Sequence, residues 1–307
     1  MRGALDALEE MFNLDLRRMH RVVVAADFDE ALKELSTQTA SGNPIAYTNE
    51  DYALGVAKVL MLPHEAGAEV VPVLNANFAV GLVLVEETPG ETFKWVAHML
   101  HHELCHVHDH NGFIDAFSDQ LFHPYGDAKM GETYGSANAC WAEYSANRRC
   151  AVSAQRADVE TTAQTFLSAL LRTKDLVDSS ICDYRYHADI SRLMDEFERH
   201  GGFLLRSAAY LLGYLDGLDR TLAEVSVGAQ RELTGSYFES TFTAIAERFR
   251  ELWTQRDTVG WESLSDFENL ATVVDDYYSI MGLELELMPD GSLYVGVPFR
   301  PETTPGW

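Results

Sequence analysis

The sequence is short of positive charge: 23 Lys and Arg stand against 48 Asp and Glu, giving a formal charge of -25 at pH 7 and a pI near 4.7. Such a field repels phosphate, which argues against direct binding of nucleic acid or of an anionic membrane surface and favours a basic or neutral protein partner. Cysteine is scarce as well. The four thiols, at 105, 140, 150 and 182, make no CxxC pair and no disulfide framework, so a reducing compartment, the cytoplasm, is the expected location. Long apolar runs are missing: Gly202 to Leu218 is interrupted by Arg206 and Asp216 and falls short of the ~20 apolar residues of a membrane span. The first 21 residues lack the charged start and apolar stretch of a secretory signal and read as an amphipathic helix. There is no internal period. What is present in quantity is apolar surface, 47% of 307 residues, enough to bury a core in one large domain or two ordinary ones.

Patterning along the chain mixes strands and helices. Arg21 to Phe28 is β-branched and reads as a strand, followed by a helix from Asp29 to about Leu35. The segment 41–62 opens on turn residues and carries helical spacing of Ala, Leu and Val from about Asp51. Glu69 to Leu74 and Phe78 to Glu86 read as strands joined by Asn75-Ala76-Asn77, a hairpin connection. After Pro89-Gly90, Glu91-Thr92 opens a helix with Phe93, Val96, Ala97, Leu100 and Leu104 at three- and four-residue steps. Asp109 to Gly135, rich in Gly, Asp, His and Pro, reads as irregular, and helix resumes near Ala137 towards Arg156. Beyond it, to about Ile280, almost only helices are expected, broken near Ser179, Gly201, Gly228 and Gly260. LELEL, the turn Pro289-Asp290-Gly291 and SLYVGV close the chain as a β-hairpin. The expected class is α+β: a small sheet packed on the helix that carries the HExxH run described next, then a mostly helical second half and a C-terminal β-hairpin. The expected regions are 1–156, 157–282 and 283–307, separate or folded as one unit.

Chemistry concentrates in His102-Glu103-Leu104-Cys105-His106. Histidines four residues apart on a helix project from one face and can give nitrogen to one ion, and a Glu beside them can take a proton from zinc-activated water and pass it to a leaving amine. At this composition HExxH arises by chance in roughly one chain in thirty, so context has to carry the argument. Here an apolar strand precedes the motif, an apolar stripe runs along its helix, and Gly-rich chain follows. Seven of the eleven histidines fall between 98 and 123, so the competing reading is a solvated His-rich surface.

A catalytic zinc takes three protein ligands and one open position. Asp109 and His110 lie a turn too far along the same helix, whereas Glu143, 37 residues after His106, sits in a second helix that can return beside the first. Asn147, one turn further on the same face, can hydrogen-bond a ligand and hold its orientation, while Ala142 and Ala146 keep the neighbouring positions small. HELCH followed by EYSANR resembles the HExxH and ExxAN pair of the ImmA/IrrE-type metallopeptidases, gluzincin-like intracellular zincins, over roughly residues 70 to 150. The resemblance implies one Zn2+ held by His102, His106 and Glu143 with Glu103 as general base.

The rest is less sharply marked. An oxyanion donor is needed from outside the motif, and Asp183-Tyr184-Arg185-Tyr186-His187 offers Tyr186 and His187 as candidates beside an ordinary helix-contact reading. His98 reads as a surface residue, with contact to a ligand or substrate as the alternative; His108, Asp109 and His110 lack the spacing of a second ion site; Cys105, Cys140 and Cys150 read as core packing, although the last two flank Glu143 and a distorted helix would bring them to the site. The leading function is a zinc metallopeptidase, a cytoplasmic hydrolase cleaving a protein or peptide, with a regulatory protein as the substrate the resemblance suggests. The alternatives are a metal-binding regulatory or scaffold module with an inactive site, and a hydrolase of a small amide.

Overall fold

In a computed structural model the chain is α+β and mostly helical. The structure describes residues 2–39, 49–50, 53–54, 56–65, 67–81, 90–117 and 126–304, with the backbone alone at 49–50 and 53–54. They form two compact units, Met1–His123 with Ser145–Asp158, and Pro124–Tyr144 with Val159–Trp307.

The first unit opens with α1 (Arg2–Phe12), β1 (Val23–Ala25) and α2 (Phe28–Ser36), the last started by Asp27, whose carboxylate accepts from the Glu30 amide. Short strands β2 (Asn49–Glu50) and β3 (Ala53–Leu54) pair with each other, and β4 (Ala57–His64) and β5 (Gly67–Asn75) follow. The main sheet has the order β1-β5-β4, with β5 parallel to β1 and antiparallel to β4. Val71 and Val73 of the central strand pack with Leu60 and Leu62 of β4 against Phe28, Leu32 and Leu35 of α2. Val70 and Leu74, on the opposite face, are also fully buried.

Two sequence expectations fail here. Where it is described, at 53–54 and 57–64, the helical spacing expected after Asp51 falls on strands: Val59 is buried on one face of β4 and Leu60 and Leu62 on the other, so the run need not alternate, and cross-strand pairing from Ala57↔Leu74 to His64↔Gly67 fixes it as a strand. Phe78–Val80 belongs not to a strand but to a short helix α3 (Ala76–Val80), since Asn75 caps it by accepting from the Asn77 amide. The remainder of that expected strand, 82–86, lies outside the described residues.

The long helix α4 (Glu91–Phe117) neighbours β4 and β5. Gly81 lies close to it: a Cβ there would meet Val96 Cγ2 at 2.7 Å, so the approach requires glycine. Contrary to the irregular segment expected from Asp109, α4 continues through Phe113, Ile114 and Phe117, which are buried, while its polar residues find distant partners. Asn111 donates to the Asp15 carbonyl, His108 Nδ1 accepts from the Asp15 amide, and Asp115 pairs with Arg17 and Arg18. Residues 118–125 of the expected irregular segment lie outside the described ones. Helix α5 (Ala128–Cys150) starts earlier than expected, where Asp127 caps it by accepting from the Met130 amide.

After a 3-10 turn (Ala151–Ser153) the second unit continues with α6 (Arg156–His187), unbroken at Ser179, then α7 (Ile190–Phe197), a π-helical turn (Glu198–Gly202) and α8 (Phe203–Gly217). The predicted break at Gly201 is therefore a widening of the helix. Next come α9 (Leu222–Val225), α10 (Val227–Leu233), α11 (Glu239–Thr258) and α12 (Glu268–Met281). Trp141 and Tyr144 of α5 pack with Phe249 of α11, and Phe197, Phe238, Tyr277 and Tyr278 form a second aromatic group. The expected C-terminal hairpin is present as β6 (Glu284–Leu287) and β7 (Leu293–Gly296), with Gly291 at φ 84° in its turn. Among the described residues no helix is long and apolar enough to cross a membrane.

Candidate metal centre

Helix α4 carries histidine at 98, 102, 106 and 110, one per turn, and this periodicity aligns the rings along one face. His102 and His106 meet edge-on at 4.6 Å between centroids, with Nε2 atoms 3.0 Å apart, and His106 and His110 lie nearly parallel at 6.4 Å. Nothing about the motif is solvated: His102, Glu103 and His106 are only 4%, 6% and 9% exposed. A His-rich surface is therefore excluded for these residues.

Glu143 and Asn147 lie four residues apart on α5, and Asn147 is buried. One ligand atom each from His102, His106 and Glu143 lie within 4.8 Å of one another, a group that could hold a metal ion. The donor set suits zinc, two imidazoles and a carboxylate. The 3.0 Å between the two Nε2 atoms is close to the roughly 3.3 Å separating two corners of a tetrahedron with metal–nitrogen bonds near 2.05 Å.

The surroundings were harder to foresee. His98, expected at the surface, is buried, as is His101, because both turn their Nδ1 atoms onto Ser153 Oγ, at 2.9 and 2.8 Å. His101 also stacks on Phe12 at 3.8 Å. Burial is the main reason their pKa values fall, to about 4 for His98 and about 3 for His101, with the charge of His102 adding to both. Both are neutral at pH 7. Burial likewise pushes the Cys105 thiol up, helped by Cys150 and Asp109, and takes Cys140 up to about 12, in keeping with their expected packing role.

Asp109, set aside as a ligand, acts as a fastener: its carboxylate accepts from Ser145 Oγ and pairs with Arg149 at 3.5 Å, tying α4 to the last turns of α5. Its partners lie 36 and 40 residues away, so no local pattern announces them. On α5, Tyr144 donates to Asp216, whose carboxylate is held by Arg250, and this fixes the helix next to Glu143. The last turn of α6 is different in kind. Tyr186 is 77% exposed, His187 Nδ1 accepts from the Asp189 amide, and Arg185 donates to the carbonyls of Val297 and Pro298. The group of convergent ligand atoms does not include His187. Compared with family models, with curated proteins and with solved structures, the chain finds no match.

Proposed function

We propose that this chain is a zinc-dependent peptidase of the HExxH type, a zincin of gluzincin-like, ImmA/IrrE-type character, acting in the cytoplasm on a protein or peptide. The observation that supports it most is the convergence of His102, His106 and Glu143 within 4.8 Å. A zinc ion bound there supplies a Lewis acid that acidifies water and polarises a carbonyl. Glu103, one residue from a ligand and shielded from bulk water, takes a proton from the attacking water and returns it to the amine nitrogen as the amide bond breaks.

A peptide is favoured over a small amide by the sheet beside α4. In this reading the motif segment of α4 packs on the face of the sheet opposite α2. Among the described residues β4 is the edge of the order β1-β5-β4, and its outer backbone groups can pair with an extended chain.

Zinc content together with turnover by Glu103→Ala tests the proposal. The protein should carry one zinc per chain and cleave an unfolded protein substrate. The variant should keep the zinc and lose turnover by roughly 10²- to 10⁴-fold. A preparation without stoichiometric metal, or a variant as active as the parent, would overturn it.

A further inference from the structure

Resting on the metal reading above, the surroundings of His102 assign a role to a thiol. An imidazole that ligates a metal through one ring nitrogen carries its proton on the other, and the partner of that N–H sets the ring's tautomer and orientation. His102 turns Nε2 towards His106 Nε2, which leaves Nδ1 facing the protein. Cys150 Sγ lies 3.9 Å from it.

Cys150 is the last residue of α5 and is fully buried. Its S–H is within reach of the Asn147 carbonyl at 3.7 Å and of Asn147 Oδ1 at 3.9 Å. A thiol has one proton to give and sulfur lone pairs to accept with. With its proton directed to Asn147, the sulfur is an acceptor for the Nδ1–H of His102.

The backbone of the same residue is engaged too. Its carbonyl accepts from Ser153 Oγ at 2.9 Å, so the single Ser153 proton is spent there. The two imidazoles that meet Ser153 Oγ, His98 and His101, are then the donors and carry their protons on Nδ1. Side chain and carbonyl of residue 150 thus each anchor histidines of α4, the first directly and the second through Ser153.

We infer that Cys150 is a positioning residue for the metal group: it holds His102 in the tautomer that presents the Nε2 lone pair. A cysteine that merely fills space would be replaceable without effect on metal affinity.

The test uses the full chain, with zinc affinity from chelator competition and unfolding temperature with and without zinc, for wild type, Cys150→Ala and Cys150→Ser. Cys150→Ala should weaken zinc binding about tenfold or more and shrink the zinc-induced rise in unfolding temperature. Cys150→Ser, which keeps an acceptor, should recover part of both. In the zinc form of 15N-histidine-labelled protein, the Nδ1–H signal of His102 should exchange slowly in the wild type and be lost in Cys150→Ala.

Equal zinc affinity in the wild type and Cys150→Ala with the signal retained would overturn the inference while leaving the metal site standing. So would an equal drop of both unfolding temperatures at unchanged affinity, the mark of packing alone. Should Cys150→Ala fail to fold, the wild-type and Cys150→Ser spectra decide: a fast-exchanging Nδ1–H in both refutes the hydrogen bond. A wild type that binds no zinc refutes the metal reading itself.

Discussion

Two helical runs in this chain set histidine among charged and aromatic residues, His98–His110 on α4 and Asp183–His187 on α6, and they meet different ends. On α4 the motif residues are nearly inaccessible and two of them turn ligand nitrogens towards Glu143. On α6, Tyr186 is mostly in water, Arg185 holds tail carbonyls and also lies over Phe299 at 4.4 Å, and His187 closes the end of its helix. The composition is alike and the burial is not. Where packing removes water, His102 and His106 gather with Glu143 into a group that could hold a metal ion, whereas on α6 the backbone groups of residues 189, 297 and 298 take up the His187 and Arg185 side chains.

The contrast can be broken most directly by exchanging alanine into each run. His106→Ala should abolish stoichiometric zinc and activity, whereas His187→Ala should keep the zinc and stay within about twofold of parental turnover. Loss of activity in the second variant with zinc retained would make the α6 run part of the machinery as an oxyanion donor. A smaller but clear effect is expected at the fastener. Asp109→Ala removes the carboxylate beside Arg149 and Ser145 and should cost about 2–3 kcal/mol in chemical denaturation, below the value for a fully buried pair because Arg149 is partly exposed. An unchanged midpoint would show that α5 is held against α4 by packing alone.

A separate effect concerns pH. His98 and His101 titrate at about 4 and about 3 in the folded chain and near 6.5 when unfolded, so unfolding takes up protons below about pH 6.5. Their contribution to stability is complete above that pH and is lost as the pH falls towards 4 and 3. Thermal unfolding of metal-free protein from pH 7 to pH 4 should show this decline, and His98→Asn, which keeps a donor for Ser153, should make it shallower. A slope identical in the variant would remove His98 from the account.

The metal group was legible because its information is local. The spacing of His102 and His106 and the pairing of Glu143 with Asn147 are single-turn helical patterns, and tertiary structure had only to bring two helices together. The C-terminal hairpin was legible for the same reason, through its Pro-Asp-Gly turn. What could not be read depends on partners far along the chain. β4 becomes a strand by pairing with β5, and α4 outruns its apparent end because Asp109, Asn111 and Asp115 are satisfied from 36 to 98 residues away. His98 and His101 are buried by Ser153, more than 50 residues distant. The starts of α3 and α5 are another matter: Asn75 and Asp127 are ordinary caps that could have been read, outweighed by the apolar run after one and the glycines around the other.

The central claim is tested most directly by anomalous diffraction at the zinc absorption edge from crystals of the full chain. One peak is expected about 2.0–2.2 Å from His102 Nε2, His106 Nε2 and a carboxylate oxygen of Glu143. A peak coordinated by other residues, or zinc-soaked crystals with no peak at this group, would contradict it.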